Sequence, residues 1–399
     1  MNAIPKGLRP ESLMKHMRAL CKEIPRRVPT GEGERKAAEY VVSSLKGMGL
    51  ADPSVEPFKG IPTLGLPAIL TTVLCLAVLP VGAYCGIAGK VSAGAVLFFA
   101  ALTFFQLLSC RPPLFRRIIE RWNSQNVVKT IPAKGTSKGH VYLVGHLDAN
   151  KQRFIFPPPW PILMKSMETS VVVLAAGTGA YFWASALFGF NVPLVWMTAG
   201  ASFLAFALLL AADEFQPTIE GANDNATAVS VLLGVAETLK DSPLDNADVT
   251  LLFTGCEEVG NHGMIAYLDR HAPAKDGTLW IDIEMVGTGN IAYATRHGIS
   301  YLTEYRPGAG VLSYAERAAK ENPDLGVTGR EMLILEEVSP LRYRRYDALC
   351  VVGYNKEGYL PHWHRVSDDL EHIEPETLSR AARYVHAMLA TIDSSLGAV

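Results

Sequence analysis

The sequence predicts an α/β domain, a mixed and largely parallel sheet sandwiched by helices, interrupted by about four transmembrane helices arranged as two hairpins. Three observations predict it. Charge is missing from three long apolar stretches, short β-rich runs alternate elsewhere with helical periodicity, and several of those runs end in acidic or histidine-bearing loops.

The charge-free stretches are Ile61 to Gly89 (29 residues), Val91 to Cys110 (20) and Thr169 to Ala212 (44). All 37 basic and 39 acidic residues fall in the other 306, a quarter of them, which is the composition of an ordinary soluble domain. A wholly soluble chain and a disordered one are both excluded. The formal net charge of −2 and the lack of a basic cluster exclude a nucleic-acid partner. Six cysteines without paired spacing argue against a disulfide framework or a cysteine zinc site and suit a reducing compartment.

In chain order, Glu11 to Ile24 and Glu32 to Met48 have helical periodicity, the second closed by Gly49. These first 60 residues hold no apolar run of signal-peptide length, so nothing there is expected to send the domain across a membrane. The first hairpin, residues 61–110, turns at Lys90. Leu114 to Trp122 sets apolar residues at helical spacing beside three arginines, either an interfacial helix or a buried amphipathic one. His140 to Val144 reads as a strand. Phe154 to Pro161 reads as a stiff apolar lip or interfacial anchor before the second hairpin, residues 169–212, which turns at Gly189 to Pro193. Further strands are Val249 to Thr254, Leu279 to Ile283 and Ala348 to Val352, with helices Ala226 to Lys240 and Pro375 to Ile392 among them. Segments 1–60, 111–168 and 213–399 therefore make one domain.

A hairpin returns the chain to the side it left, so all soluble segments share one face of the membrane. Seven basic residues flank the spans on that face (Lys46, Lys59, Arg111, Arg116, Arg117, Arg121, Lys165), against Lys90 at the hairpin tips. The positive-inside rule then puts the domain in the cytoplasm, in a multi-pass protein of a cell inner membrane.

Beyond the carboxyl ends of parallel strands, where such sheets bind ligands, five polar loops recur. They are Gly145-His146-Leu147-Asp148-Ala149, Gly221-Ala222-Asn223-Asp224-Asn225-Ala226, Gly255-Cys256-Glu257-Glu258-Val259-Gly260, Asp282-Ile283-Glu284-Met285-Val286-Gly287 and His362-Trp363-His364-Arg365-Val366-Ser367-Asp368-Asp369. Alone, each is ordinary surface polarity or a helix cap. Together, two imidazoles and three or more carboxylates suit zinc, with manganese or cobalt as alternatives. A carboxylate can bridge two metals about 3.5–4 Å apart, and an uncommitted Glu beside them can take a proton from water.

These loops resemble, in order, the motifs of the two-zinc aminopeptidases, the family of aminopeptidase Y and the bacterial leucyl aminopeptidases. The resemblance implies a zinc exopeptidase fold, two Zn2+ ions and a peptide substrate. It implies that Asp224 bridges, that Glu258 and His364 complete one metal site, and that His146 with Glu284 completes the other. Glu257 would be the general base and Asp148 would orient His146 from its outer nitrogen; Asp368 would support the His364 loop. At the third strand the family usually has Asp, whereas that register falls here on Glu284, with Asp282 two residues earlier on the same face. His362 likewise competes with His364. Carboxypeptidase or dipeptidase activity, glutaminyl cyclase chemistry and a catalytically silent scaffold are the alternatives. Arg342, Arg344 and Arg345 read as a solvated basic edge or as a carboxylate site. The second hairpin interrupts the domain between His146 and Asp224, so the site is expected to open near the bilayer, toward apolar or membrane-associated peptides.

Overall fold

A computed structural model describes residues 3–24, 26–156 and 160–398. Its elements begin with α1 (Pro10–Arg18), α2 (Glu32–Gly47), β1 (Ser54–Gly60), α3 (Gly65–Tyr84), α4 (Gly86–Leu107), α5 (Arg116–Ile119), β2 (Trp122–Ile131) and β3 (Gly139–His146). Next come α6 (Trp160–Phe188), α7 (Pro193–Glu214), α8 (Thr227–Asp241), β4 (Ala247–Thr254), α9 (His262–His271), β5 (Thr278–Glu284) and β6 (Asn290–His297). The chain ends with α10 (Ala309–Glu321), β7 (Thr328–Met332), α11 (Val338–Tyr343), β8 (Asp347–Tyr354) and α12 (Pro375–Gly397).

The strands form one eight-stranded sheet in the order β1-β2-β4-β3-β5-β8-β6-β7. Its centre, β4-β3-β5-β8, is parallel throughout. β1, β2 and β4 pair antiparallel on one side, while on the other β6 runs antiparallel to β8 and parallel to β7. The four central strands are those the sequence predicts, because buried parallel strands are continuous apolar runs. The four flanking strands are absent from the prediction. β1 carries Glu56, Pro57 and Lys59, which only an edge strand tolerates, and β2 is polar along half its length.

Alternation along each central strand divides the core in two. Val141, Leu143, Leu251, Ile281 and Val351 face helices α1, α8 and α12, whereas Tyr142, Val144, Leu252, Trp280 and Cys350 face α9 and α11. α8 is buried along most of its length, and at its start Ala228 lies against Gly145, where a Cβ would come within 2.6 Å of the alanine methyl. That close approach, open only to glycine, brings the start of α8 beside the end of β3.

α3, α4, α6 and α7 are four helices long and apolar enough to cross a membrane. Their boundaries differ from the sequence reading in two ways. The first hairpin turns at Cys85 rather than Lys90, which lies inside α4 and donates through its ammonium to the carbonyls of Ser185 and Phe190 in the other hairpin. α6 starts at Trp160, nine residues before the charge-free run. Lys165 falls within it and pairs with Glu304 of the domain at 3.0 Å, because helical hydrogen bonding continues past the point where charge begins. The segment Leu114–Trp122 is not a long helix. It holds only the single turn of α5 before Trp122 pairs with Gly60, and strand pairing draws it extended. Pro157, Pro158 and Pro159 of the expected apolar lip lie outside the described residues.

Candidate metal centre

His146 closes β3, Glu284 closes β5, Glu257 and Glu258 follow β4, Asp224 lies in the loop before α8, and His364 in the loop after β8. The parallel strands thus deliver all six to one end of the sheet. His146 Nε2 is 3.2 Å from Asp224 Oδ1 and 3.6 Å from Glu284 Oε1. On the other side of the same aspartate, His364 Nε2 is 3.3 Å from Asp224 Oδ2 and 3.0 Å from Glu258 Oε2. Two triads of potential metal ligands, His146–Asp224–Glu284 and Asp224–Glu258–His364, therefore share Asp224. Glu257 belongs to neither, its Oε2 standing 3.9 Å from His146 Nε2.

Asp282 and His362 point elsewhere. Asp282 clusters with Glu336 and Cys350 and with Glu284 and Glu337, away from both histidines, and His362 Nδ1 meets the Ser367 hydroxyl at 2.9 Å. Arg342 donates to the carbonyls of Arg306 and Tyr346, and Arg344 pairs with Asp269, so both are held by the fold.

The loops are held by contacts with no local sequence signal. The His146 Nδ1 lies 3.1 Å from the Asp148 carbonyl oxygen, which can only accept, so Nδ1 carries the proton and Nε2 faces the carboxylates. The Asp148 carboxylate, 3.5 Å from that nitrogen, instead accepts the backbone N–H groups of Glu257 and Glu258, both at 3.1 Å. Asp368 accepts from the N–H groups of Asn223 and Asp224, steadying the Asp224 loop rather than that of His364. Arg27, 1% exposed, donates to the Leu147 and Gly221 carbonyls and so ties two of these loops together. Glu34 accepts from the Cys256 N–H at 2.8 Å and does the same for the third. Asn150 reaches Glu258 Oε2 at 2.7 Å and His364 Nε2 at 3.2 Å, in direct contact with the triad. It stands two residues after Asp148 in the sequence, where nothing in the spacing distinguishes it. Cys256, Met285, His362 and His364, beside or at the ligand positions, all have positive φ (55°, 51°, 61° and 50°), an uncommon conformation for residues other than glycine.

Burial opposes charge on both imidazoles, yet the carboxylates outweigh it. They hold His146 well above its ordinary value, chiefly through Glu284, and His364 up to about 9, chiefly through Glu258. Burial pushes Glu284 up to about 8 and Glu257 well above the carboxylate range, whereas Asp224, against its own burial, is held below that range by the two imidazoles. Glu258 Oε1, Glu284 Oε1 and His364 Nδ1 are buried without a hydrogen-bond partner among the described residues. Nitrogen and oxygen donors converging with orphaned carboxylate oxygens fit divalent zinc, the charge that such a cluster lacks.

Residues 210–389 match the model of Peptidase family M28. A curated relative, the putative endoplasmic reticulum metallopeptidase 1-A of Caenorhabditis elegans, is 28% identical over 186 residues, covering 44% of this chain. The match spans 19% of that relative's length. Among solved structures, a zinc aminopeptidase from Bacillus subtilis superposes with a TM-score of 0.57 at 15% identity, over 97% of this chain and 95% of its own. A Zn-dependent exopeptidase from Parabacteroides distasonis gives 0.55 at 14% identity, over 98% and 99%, and the glutaminyl cyclase of Tannerella forsythia 0.54 at 14%, over 96% and 98%. These structures share the fold, and the family match covers the bridging loop, the Glu pair and the last histidine. The family match over this part of the chain and the shared fold together support a zinc-metallopeptidase domain similar to Peptidase family M28.

Proposed function

We propose that this protein is a membrane-anchored, two-zinc aminopeptidase whose domain faces the cytoplasm. The observation that carries the reading is the pair of triads meeting at Asp224, with Glu257 free beside them. His146, Asp224 and Glu284 would hold one zinc, and Asp224, Glu258 and His364 the other. When bound, the metals polarise the scissile carbonyl and lower the pKa of the attacking water. Glu257 takes the proton of that water and returns it to the leaving amine, which balances the hydrolysis of one amide bond. Asp148 keeps the two consecutive glutamates on opposite errands by holding both their backbone N–H groups, and Asn150 orients Glu258 and His364. Turnover of leucyl-anilide, with loss on chelation and recovery with zinc, tests the reading. Exclusive turnover of N-terminal glutaminyl peptides or of blocked C-terminal substrates would replace it with a cyclase or a carboxypeptidase.

The raised imidazoles carry a consequence for metal binding. At pH 7 the metal-free site holds protons on His146 and His364, and burial keeps one on Glu284 as well. Ligation requires all three to be lost, so zinc binding releases two to three protons and tightens as pH rises toward 9. Calorimetry in buffers of different ionisation enthalpy counts them, and release of none would contradict the ligand assignment.

Sidedness has a built-in probe. Cys85 is exposed at the turn of the first hairpin, while the other five cysteines are buried. With the domain in the cytoplasm, a membrane-impermeant maleimide labels Cys85 in intact cells and fails on Cys85→Ser. Labelling that appears only after permeabilisation would reverse the orientation.

A further inference from the structure

The site opens into a cavity of about 380 Å³, within the range of about 300–1,000 Å³ usual for small-ligand sites. One end is lined by Asp224, Glu257, Glu258 and His364 with neighbouring domain residues such as Ile334 and Trp363, and the other by residues of the apolar hairpins. On α6 the lining runs from Met164 to Leu174, and on α7 from Ser202 to Asp213. Eleven or twelve helical residues span about 15 Å, half of a hydrocarbon core of about 30 Å. The wall is mainly apolar, with Val171, Leu174, Phe206 and Leu209 among its residues. Phe156 continues it to the metal centre, its ring centroid 4.3 Å from that of His364.

The helices leave this space by their order. α6 packs on α4, α4 on α3 and α3 on α7, while α6 and α7 hardly touch although a short turn joins them. The result is an open arc whose two ends, α6 and α7, both line the cavity, so the gap between them faces the bilayer interior.

We infer that the substrate is an amide carrying one long alkyl chain, which enters from the bilayer between α6 and α7 and lies in this cavity while the amide rests at the metal centre. The inference rests on the aminopeptidase reading, which leaves the acyl side for a single residue and puts the chain on the leaving amine. A short polar peptide would leave an apolar tunnel in contact with water, which apolar surface disfavours.

The test uses the zinc-loaded full chain in lipid nanodiscs, with leucyl ethylamide and leucyl dodecylamide as substrates. The dodecyl compound is expected to have a kcat/KM at least about a hundredfold higher. Part of that preference reflects partition into lipid, which is the same for every variant. Leu174→Trp and Ser202→Trp, which fill the deep end, are expected to lower the dodecyl-to-ethyl ratio by about tenfold or more. Leu187→Trp, on an exposed face of α6 outside the cavity, is expected to keep the wild-type ratio. A ratio indifferent to both cavity variants overturns the inference. Should either variant fail to fold, leucyl dodecylamide bearing a terminal diazirine decides on the wild type. Labels on Val171, Leu174 or Phe206 support the chain site, and labels confined to outward residues such as Leu187 and Leu204 refute it. Labelling of the cavity without turnover of either substrate would refute the hydrolase reading and leave the chain site standing.

Discussion

Glu257→Gln will cut turnover steeply while the metal content of the protein stays at its wild-type value. The glutamine side chain has the same volume and fills the same buried position, but it cannot accept a proton from water. General-base catalysis contributes about 10²–10⁴ in rate, so kcat falls by roughly that factor. Metal content is spared because Glu257 belongs to neither triad, its nearer oxygen lying 3.9 Å from His146 Nε2, while its backbone N–H stays bound to Asp148. The measurement is kcat on an aminoacyl substrate together with zinc analysis of the same sample. A variant within tenfold of wild type would remove Glu257 from the role of base.

Asp224→Ala will have the broader effect, because both triads pass through this one carboxylate. Its two oxygens face different histidines, at 3.2 and 3.3 Å, so its removal leaves each side with one imidazole and one carboxylate. Zinc content is expected to drop below one ion per chain. Several kcal/mol of charge stabilisation go with it, which is about a thousandfold or more in rate. Glu284→Ala, by contrast, disturbs one triad and is expected to lose one ion of two. Asp282→Asn is expected to retain both, because Asp282 faces Glu336 and Glu337 rather than a histidine. A monodisperse elution profile and unchanged helical signal separate loss of metal from loss of fold. Full occupancy in Asp224→Ala would overturn the bridging role.

The two charge-free hairpins and the strand-end loops were legible because each is a local pattern, carried by adjacent residues. The central strands were legible for the same reason: Val141 to Val144 and Leu349 to Val352 are apolar without interruption. The edge strands β1 and β2 were not, since their extended conformation comes from pairing with each other and with β4 rather than from their own side chains. The contributions of Arg27, Glu34 and Asn150 were equally hidden. An arginine in a polar N-terminal segment looks solvated, and only the fold buries Arg27 between Leu147 and Gly221. The family resemblance implies Asp148 beside His146, but which of its oxygens serves the imidazole and which serve the Glu257–Glu258 backbone depends on where β4 lies.

By itself, then, the sequence determined that a metal-binding chemistry stands at the ends of parallel strands and that two apolar hairpins interrupt it, because motif and hydropathy are properties of contiguous residues. The tertiary structure alone sets Glu284 and His364, rather than Asp282 and His362, around Asp224, and lines one cavity with both the candidate site and the apolar hairpins. Those arrangements depend on distances between residues more than two hundred positions apart, such as Asn150 and His364. They depend too on α6 and α7 packing at opposite ends of an arc, which leaves an apolar cavity leading to the candidate metal centre.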